Sequence, residues 1–167
     1  MPDMSLFCSR DTKLEVFLRK LLFARGFRYR MHDRKLKGRP DLVFPKYKAV
    51  IFVHGCFWHA HSGCSRFTFP KKNKKFWLAK FRANRLRDKL STHWLKAHGW
   101  RVLVVWECAI RKPADYDIDQ LLDFITCWLV ANCHSCEVSG GAPLPLLKLN
   151  FDTYKVTKLQ LIGNSRR

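Results

Sequence analysis

Two short, almost wholly apolar runs limit the folds that this chain can adopt. The first is AVIFV, which ends just before His54, and the second is RVLVVW, which begins just after Trp100. Apolar runs of this length without polar alternation are typical of strands buried on both faces of a sheet. Residues 75–98 lie between the two runs and have apolar side chains at helical spacings, which are Phe76, Ala79, Ala83, Leu86, Leu90, Trp94 and Ala97. We predict two buried strands joined by one long helix whose apolar stripe faces the core.

Weaker patterns on either side of this unit complete an α/β order of elements. The run DLVF precedes AVIFV, and the intervening PKY predicts the turn of a β-hairpin. Residues 12–24 and 117–130 have the spacing of amphipathic helices, and Gly26 is placed to end the first of them. We expect an α/β fold with a central mixed sheet flanked by helices, in one domain over residues 1–136. The stretch VSGGAPLP has the composition of a linker, so residues 137–167 are assigned as a C-terminal tail of unknown role.

The charge of the chain indicates a polyanionic partner. Lysine and arginine number 32 against 13 aspartates and glutamates, which gives a formal charge of +19 and a pI near 10.1. A solvated basic surface of the ribosomal kind is the plainer alternative. No apolar run approaches membrane-spanning length, and the N-terminus MPDMSLFCSRD does not resemble a secretory signal. We therefore expect a cytoplasmic protein without a membrane partner, in which the seven cysteines are metal ligands or buried thiols.

Residues 41–64 combine an aspartate, three histidines and two cysteines around a hydrophobic strand. Asp41 follows a proline at the start of the hairpin, where a hard carboxylate can hold Mg²⁺, although a simple turn aspartate is the alternative. His54 and His59 are candidates for proton transfer, because an imidazole titrates near neutral pH. This concentration of coordinating and proton-transferring groups predicts a metal-dependent hydrolase.

A second constellation has the composition of a structural zinc site. Cys56, His61 and Cys64 lie within nine residues of one another, and Cys108 follows the distant strand RVLVVW as part of WEC. Two thiolates and an imidazole at this spacing, with a third thiolate as fourth ligand, can close around one Zn²⁺. Four protein ligands leave no open position, so such a zinc ion would be structural. The alternative is a set of buried thiols.

Six motifs in a fixed order resemble the very-short-patch-repair (Vsr) mismatch endonucleases. They are RDTKLE, GRPDLVF, VIFVHGCFWHAHSGC, FW, NRLRD and GWRVLVVWEC, and the resemblance covers about residues 4 to 112. It implies a fold similar to restriction endonucleases, catalytic Mg²⁺, and nicking of one strand of duplex DNA next to a T:G mismatch. It also implies a monomer associated with the nucleoid, with mismatch-repair proteins as partners in very short patch repair.

The same resemblance assigns roles to five residues around the hairpin. Asp41 and the backbone carbonyl of Val53, where the family usually has threonine, would hold Mg²⁺. His59 would activate water, and Asp88 would hydrogen-bond this histidine and keep its tautomer. His54 would steady the phosphate or the leaving oxygen. Taken without the resemblance, Asp88 in NRLRDK is an ordinary salt-bridging helix residue.

Glu15 has two interpretations that the sequence leaves open. It matches a family glutamate that holds metal-bound water. It also completes, with Thr12, the S/T-x-x-E pattern of a capping box at a helix start.

Three aromatic residues match positions at which the family intercalates side chains next to the mismatch. These are Phe57, Trp58 and Trp77. Unstacking a base step costs least at a mismatch, which gives such wedges a physical source of selectivity. The neighbouring PKKNKK run and the arginines and lysines of residues 25–39 would contact phosphates. The alternative for the aromatic residues is ordinary core packing.

Three functions are therefore compatible with the sequence. The first is a Mg²⁺-dependent endonuclease that nicks DNA at a T:G mismatch. The second is a nuclease of the same fold with another specificity, such as a restriction or mobile-element enzyme. The third is a non-catalytic DNA-binding module held together by zinc.

Overall fold

A computed structural model describes residues 11–111, 113–131 and 133–145 of the chain. Its elements, in chain order, are α1 Lys13–Ala24, β1 Leu42–Phe44, a 3₁₀ turn Pro45–Tyr47, β2 Ala49–His54, α2 Lys74–Ala97, β3 Arg101–Trp106, α3 Glu107–Arg111, α4 Ile118–Val130 and β4 Cys136–Val138. Among the described residues, no helix has the length and apolar character needed to cross a membrane.

The four strands form one mixed sheet in the order β1-β2-β3-β4. β1 and β2 pair antiparallel across the 3₁₀ turn, which confirms the predicted hairpin. β2 and β3 pair in parallel over their whole length, and α2 provides the crossover connection that parallel strands require. The two apolar runs therefore become the central strands, as their lack of polar alternation predicts.

Helices cover the sheet on both faces. On one face α1 and α4 bury a large apolar cluster that includes Leu18, Leu22, Ile51, Leu103 and Trp128. On the other face α2 covers a smaller cluster formed by Leu36, Val43, Val50, Phe52, Leu95 and Val102. This arrangement gives three layers, with α2 lying over the sheet face to which His54 also belongs.

The predicted inward face of α2 is wrong. The buried residues of the helix are Phe81, Asn84, Ser91 and Leu95, whereas the apolar stripe predicted to face the core is exposed or, at Trp94, partly exposed. Two of the buried residues, Asn84 and Ser91, are polar because each contacts a backbone segment that lies close to α2. The Asn84 amide donates to the carbonyl oxygen of Trp58 at 2.8 Å, and Ser91 lies against Gly38. A hydrophobic stripe marks a surface that favours apolar cover, and the core formed by the described residues does not provide it.

Gly38 lets the chain before β1 approach α2 closely. It has a φ of +82°, and a Cβ there would lie 2.6 Å from Ser91 Cβ. Gly99 has a similar φ of +75° but open space around it. We expect Gly38→Ala to lower the free energy of unfolding by about 2 kcal/mol more than Gly99→Ala, because both variants bear the left-handed strain and only the first adds a clash. Denaturant unfolding measures this difference, and equal losses in the two variants would contradict the close approach.

The folded unit continues past the predicted domain boundary. β4 pairs in parallel with β3, so a boundary after residue 136 falls inside a strand. Gly140 accepts a hydrogen bond from Ala114, and Leu144 packs against the larger core. Residues 137–145 are therefore part of the domain, and the tail assignment for residues 146–167 concerns residues outside the described part.

Candidate active site and metal centre

A cleft of about 820 Å³ lies between α2, the start of α1 and the end of the β1–β2 hairpin. Every residue proposed for catalysis from the sequence lines this cleft, namely Glu15, Asp41, Val53, His54, His59 and Asp88. The structure thus brings together side chains that are up to 73 positions apart in the sequence, from Glu15 to Asp88.

Asp41 is fixed against the end of β2. Its Oδ2 accepts a hydrogen bond of 2.7 Å from the Val53 backbone N–H. In an extended strand the N–H and C=O of one residue point to the same edge, so the Val53 carbonyl faces the edge on which Asp41 lies. A carboxylate and a carbonyl at one edge are the oxygen ligands that a hard divalent cation prefers.

The electrostatic surroundings of Asp41 also suit a cation. Burial raises the pKa of Asp41 to about 7, the Val53 hydrogen bond opposes this effect, and the nearby Glu15 charge raises the pKa further. A bound cation would reverse this shift by stabilising the carboxylate. Arg19, which is 6% exposed, supplies an opposing positive charge close to the same carboxylate. Arg19 could not be predicted as a site residue, because nothing in the sequence around it indicates the carboxylate that it faces.

His59 and Asp88 form a hydrogen-bonded pair in the cleft. His59 Nδ1 lies 2.6 Å from Asp88 Oδ2, which leaves Nε2 as the second ring nitrogen. Burial alone would raise the pKa of Asp88, but the hydrogen bond and the charge of His59 outweigh burial and lower that pKa. This carboxylate therefore stays ionised and can stabilise a protonated His59.

His54 stacks on His59 and has a different electrostatic character. The two rings are 3.9 Å apart at an interplanar angle of 6°. Burial, followed by the charge of His59, lowers the pKa of His54 to about 3. His54 is therefore neutral at neutral pH, so it can donate one hydrogen bond but brings no positive charge.

Glu15 occupies a position compatible with both of its interpretations. Its carboxylate accepts hydrogen bonds from the Asp11 N–H and the Thr12 hydroxyl, and the Thr12 hydroxyl in turn accepts from the Glu15 N–H. These bonds cap α1 at its start. The same carboxylate is 4% exposed and lines the cleft close enough to Asp41 to raise its pKa.

The four residues predicted to bind zinc, which we call the soft ligand cluster, lie close together beside the cleft. One ligand atom from each of Cys56, His61, Cys64 and Cys108 lies within 4.8 Å of the other three. His61 Nδ1 is 3.5 Å from the sulfur atoms of both Cys56 and Cys108. Burial raises the pKa of the Cys56 and Cys108 thiols, and a cation at this point would favour the thiolates. Four converging soft donors fit a tetrahedral metal ion.

Two residues without a predicted role, Glu107 and Asn84, help to hold the loop between the two centres. The Glu107 carboxylate accepts from the Cys56 N–H at 3.2 Å, from Arg66 and from Arg111. Asn84 fixes the Trp58 carbonyl from α2. The acidic residue of WEC was a signal for Glu107, since it stands next to a predicted metal ligand, but no sequence pattern distinguishes Asn84 from other polar helix residues.

Phe57, Trp58 and Trp77 form one aromatic group beside the cleft. The ring of Phe57 lies 5.2 Å from each of the two tryptophan rings, which are 6.2 Å apart. All three side chains are partly exposed, and Phe81 packs beneath them in the interior. The group is thus supported by the core without being enclosed in it.

One of the predicted phosphate contacts has another partner. Arg25 forms ion pairs with Asp119 and Asp123 of α4, on the sheet face opposite α2. This basic residue therefore ties α1 to α4 and is not among the residues that line the cleft. Arg39, by contrast, lines the cleft.

The sequence is similar to known DNA-cutting proteins. A family model described as DNA mismatch endonuclease Vsr matches residues 2–66. The DNA mismatch endonuclease Vsr of Escherichia coli K12 is 39% identical over 136 residues, which cover 81% of this chain and 86% of the relative. The type II nicking enzyme V.NmeAIP of Neisseria meningitidis serogroup A is 48% identical over 106 residues, 64% of this chain and 75% of the relative. The type II nicking enzyme V.XorIIP of Xanthomonas oryzae is 47% identical over 102 residues, 61% of this chain and 74% of the relative.

Proposed function

Because this chain belongs to the Vsr family and is a DNA endonuclease, we propose that it nicks one strand of duplex DNA next to a T:G mismatch. The observation that carries the proposal is the single cleft that contains both Asp41 and the His59–Asp88 pair. We further propose that the enzyme uses Mg²⁺, has a restriction-endonuclease-like fold and acts as a monomer at the nucleoid in very short patch repair, with mismatch-repair proteins as partners.

Asp41 and Val53 are the residues that would hold the catalytic cation. When bound, Mg²⁺ would stabilise the negative charge that develops on the scissile phosphate. The Asp41 carboxylate accepts from the Val53 backbone at one strand edge, and Glu15, whose charge raises the pKa of Asp41, would hold water beside the cation. The threonine hydroxyl common at the position of Val53 is absent, but the carbonyl is retained.

His59 would act as the base for the attacking water. Its Nδ1 is committed to Asp88, so Nε2 is the nitrogen that can accept the proton. The ionised Asp88 then stabilises the imidazolium that forms. The stacked, neutral His54 would donate its N–H to a phosphate oxygen or to the leaving oxygen.

The aromatic group would supply mismatch selectivity. Phe57, Trp58 and Trp77 have partly exposed rings next to the cleft. The buried Phe81 packs against Phe57 and Trp77 and holds these rings in place. Apolar wedges that enter a base stack are resisted least where the pair is already mismatched. Arg39, which lines the cleft on the side of the β1–β2 hairpin, would hold a phosphate of the bent duplex.

The soft ligand cluster would hold a structural Zn²⁺. Its four donors come from the loop after β2 and from α3, so the ion would tie the loop that carries His59 to the end of β3. Zinc leaves no open coordination position when four protein ligands surround it. Catalysis is therefore assigned to the cleft that contains Asp41 and Val53.

A paired cleavage assay tests this function. Two duplex libraries with randomised flanking bases differ only in a central T:G or T:A pair, and both are incubated with the protein and Mg²⁺. We expect a nick in one strand of the T:G library at least about 100-fold faster than in the T:A library, since about 3 kcal/mol of unstacking cost at the matched pair corresponds to that ratio. Denaturing gels of each labelled strand measure the rates.

The other outcomes identify the alternatives. Equal cutting of both libraries would replace mismatch specificity with another nuclease specificity. Binding of DNA without any cleavage, in protein that contains its metal, would leave only the zinc-stapled binding module.

A further inference from the structure

The outward face of α2 carries a seven-residue repeat that the active site does not use. Phe76, Ala83, Leu90 and Ala97 recur every seven residues, and Ala79 and Leu86 each follow three positions after a member of that series. All six side chains are exposed, with Phe76 at 52%, Leu86 at 59% and Leu90 at 50%. In a coiled coil these six residues would occupy a and d sites, the seventh such site being His93, and we call the six apolar ones the α2 seam.

Basic residues follow the α2 seam on both sides. Lys75, Arg82, Lys89 and Lys96 each directly precede one of its seven-residue positions, and Lys80 and Arg87 directly follow the other two. All six are exposed. The ion pairs formed between described residues include none of these cations. The single acid of α2, Asp88, lies on the inner side with His59.

We propose that the α2 seam is a docking surface for an acidic amphipathic helix of another protein, packed as a two-stranded coiled coil. Flanking g and e positions determine which helices pair, and on α2 every charged one is positive. A second copy of α2 would bring cations against cations, which disfavours self-pairing. A partner helix with leucines at its a and d positions and glutamates at its e and g positions would cover the apolar α2 seam and pair with the basic residues on both sides of it.

The other candidates for this surface fit less well. Residues 146–167 of the same chain contain five lysines and arginines against one aspartate, so they carry the same sign as the flanks of the seam. Duplex DNA could pair with the basic rows, but it would leave Leu86 and Leu90 against a charged backbone. Only an apolar and acidic partner covers both kinds of side chain.

The position of the seam places this partner at the edge of the active site. Lys80 and Arg87 line the catalytic cleft as well as flanking the seam. A helix of α2's length, about 36 Å at 1.5 Å per residue, would therefore run along the rim of the cleft. The interaction does not depend on the proposed mismatch specificity.

A synthetic peptide tests the proposal on the full-length protein. The probe is a labelled four-heptad peptide with leucine at a and d and glutamate at e and g, followed by fluorescence anisotropy at physiological salt. We expect saturable binding, and at least about tenfold weaker binding to the double variant Leu86→Gln, Leu90→Gln, which loses both large seam side chains. Leu78→Gln is the matched control, because Leu78 is 43% exposed on the same helix but lies off the seam.

A charge reversal provides a second, independent measurement. The variant Arg82→Glu, Lys89→Glu should lose affinity for the glutamate-flanked peptide and gain affinity for the same peptide with lysine flanks. Helicity and metal content establish that each variant is folded, and the charge reversal decides the question if the glutamine variant does not fold.

Several results would overturn the proposal. These are no saturable binding, equal binding of a peptide with the same residues in scrambled order, or no exchange of preference on charge reversal. A loss of duplex affinity in the leucine variant equal to the loss of peptide affinity would assign the surface to DNA. Self-association of the wild type that the leucine variant abolishes, measured by sedimentation equilibrium, would assign it to a second copy.

Discussion

Asp41→Asn should abolish nicking while leaving the fold intact. The amide removes the charge that would hold Mg²⁺, and cation stabilisation of a phosphoryl transition state is worth several kcal/mol, so we expect a rate loss of at least about 1000-fold. The substitution preserves the local structure because the asparagine side-chain oxygen can still accept from the Val53 N–H. It also removes a carboxylate whose pKa burial raises to about 7, so the free energy of unfolding without metal should stay the same or increase.

Asp33→Asn is the matched control for this variant. Asp33 accepts a hydrogen bond from the Lys35 N–H in a turn before β1 and does not line the cleft. If Asp41 is merely a turn residue, the two variants should behave alike. Single-turnover nicking of a T:G duplex measures both, and an Asp41→Asn rate above a tenth of the wild type would remove Asp41 from the mechanism.

The strands and the hairpin could be predicted because their signals are local. AVIFV and RVLVVW are long enough and apolar enough to specify buried strands, and PKY specifies the connection between β1 and β2. β4 could not be predicted in this way. It has only three residues, Cys136–Val138, and it is a strand because it pairs in parallel with the edge of β3. The local sequence does not indicate this pairing.

The site was predictable where its groups are close in sequence or belong to a recognised motif. Cys56, His61 and Cys64 have metal-ligand spacing on their own. The pairing of His59 with Asp88 is different, because 29 positions separate them and the sequence around Asp88 resembles an ordinary charged helix. Resemblance to a family supplied this pair, and in the structure His59 Nδ1 lies 2.6 Å from Asp88 Oδ2.

The orientation of α2 was mispredicted for a physical reason. Helical periodicity reports that a face is apolar, but it does not report what covers that face. Specific contacts determine which face of α2 packs inward. Asn84 hydrogen-bonds the Trp58 carbonyl, and Ser91 packs closely against Gly38. The apolar face then remains outside, with its basic flanks, as a surface for a partner.

Removing one soft ligand should have the largest effect on stability. We expect Cys108→Ser to lower the content of the proposed zinc to well below one ion per chain, and to lower the free energy of unfolding by more than about 3 kcal/mol. Structural zinc in zinc-finger peptides contributes about 10–16 kcal/mol of binding free energy, so a weakened site loses a substantial part of it. The serine oxygen can still accept from the Gly140 N–H, as the Cys108 sulfur does at 3.2 Å, so the loss would report the metal.

The same variant should also lower nicking, because the two centres share one loop. His59 lies between Cys56 and His61, and the loop is otherwise held by hydrogen bonds from Glu107 and Asn84. Once the ion no longer ties this loop to α3, only these hydrogen bonds, the Arg85 bond to the Ala60 carbonyl and the His59–Asp88 bond are left, among the described contacts, to order the loop. Cys127→Ser is the control, since Cys127 is a partly exposed thiol of α4 outside the cluster. Metal analysis, denaturant unfolding and nicking rates are measured together, and a Cys108→Ser protein with full zinc content and unchanged stability would contradict a structural metal at this site.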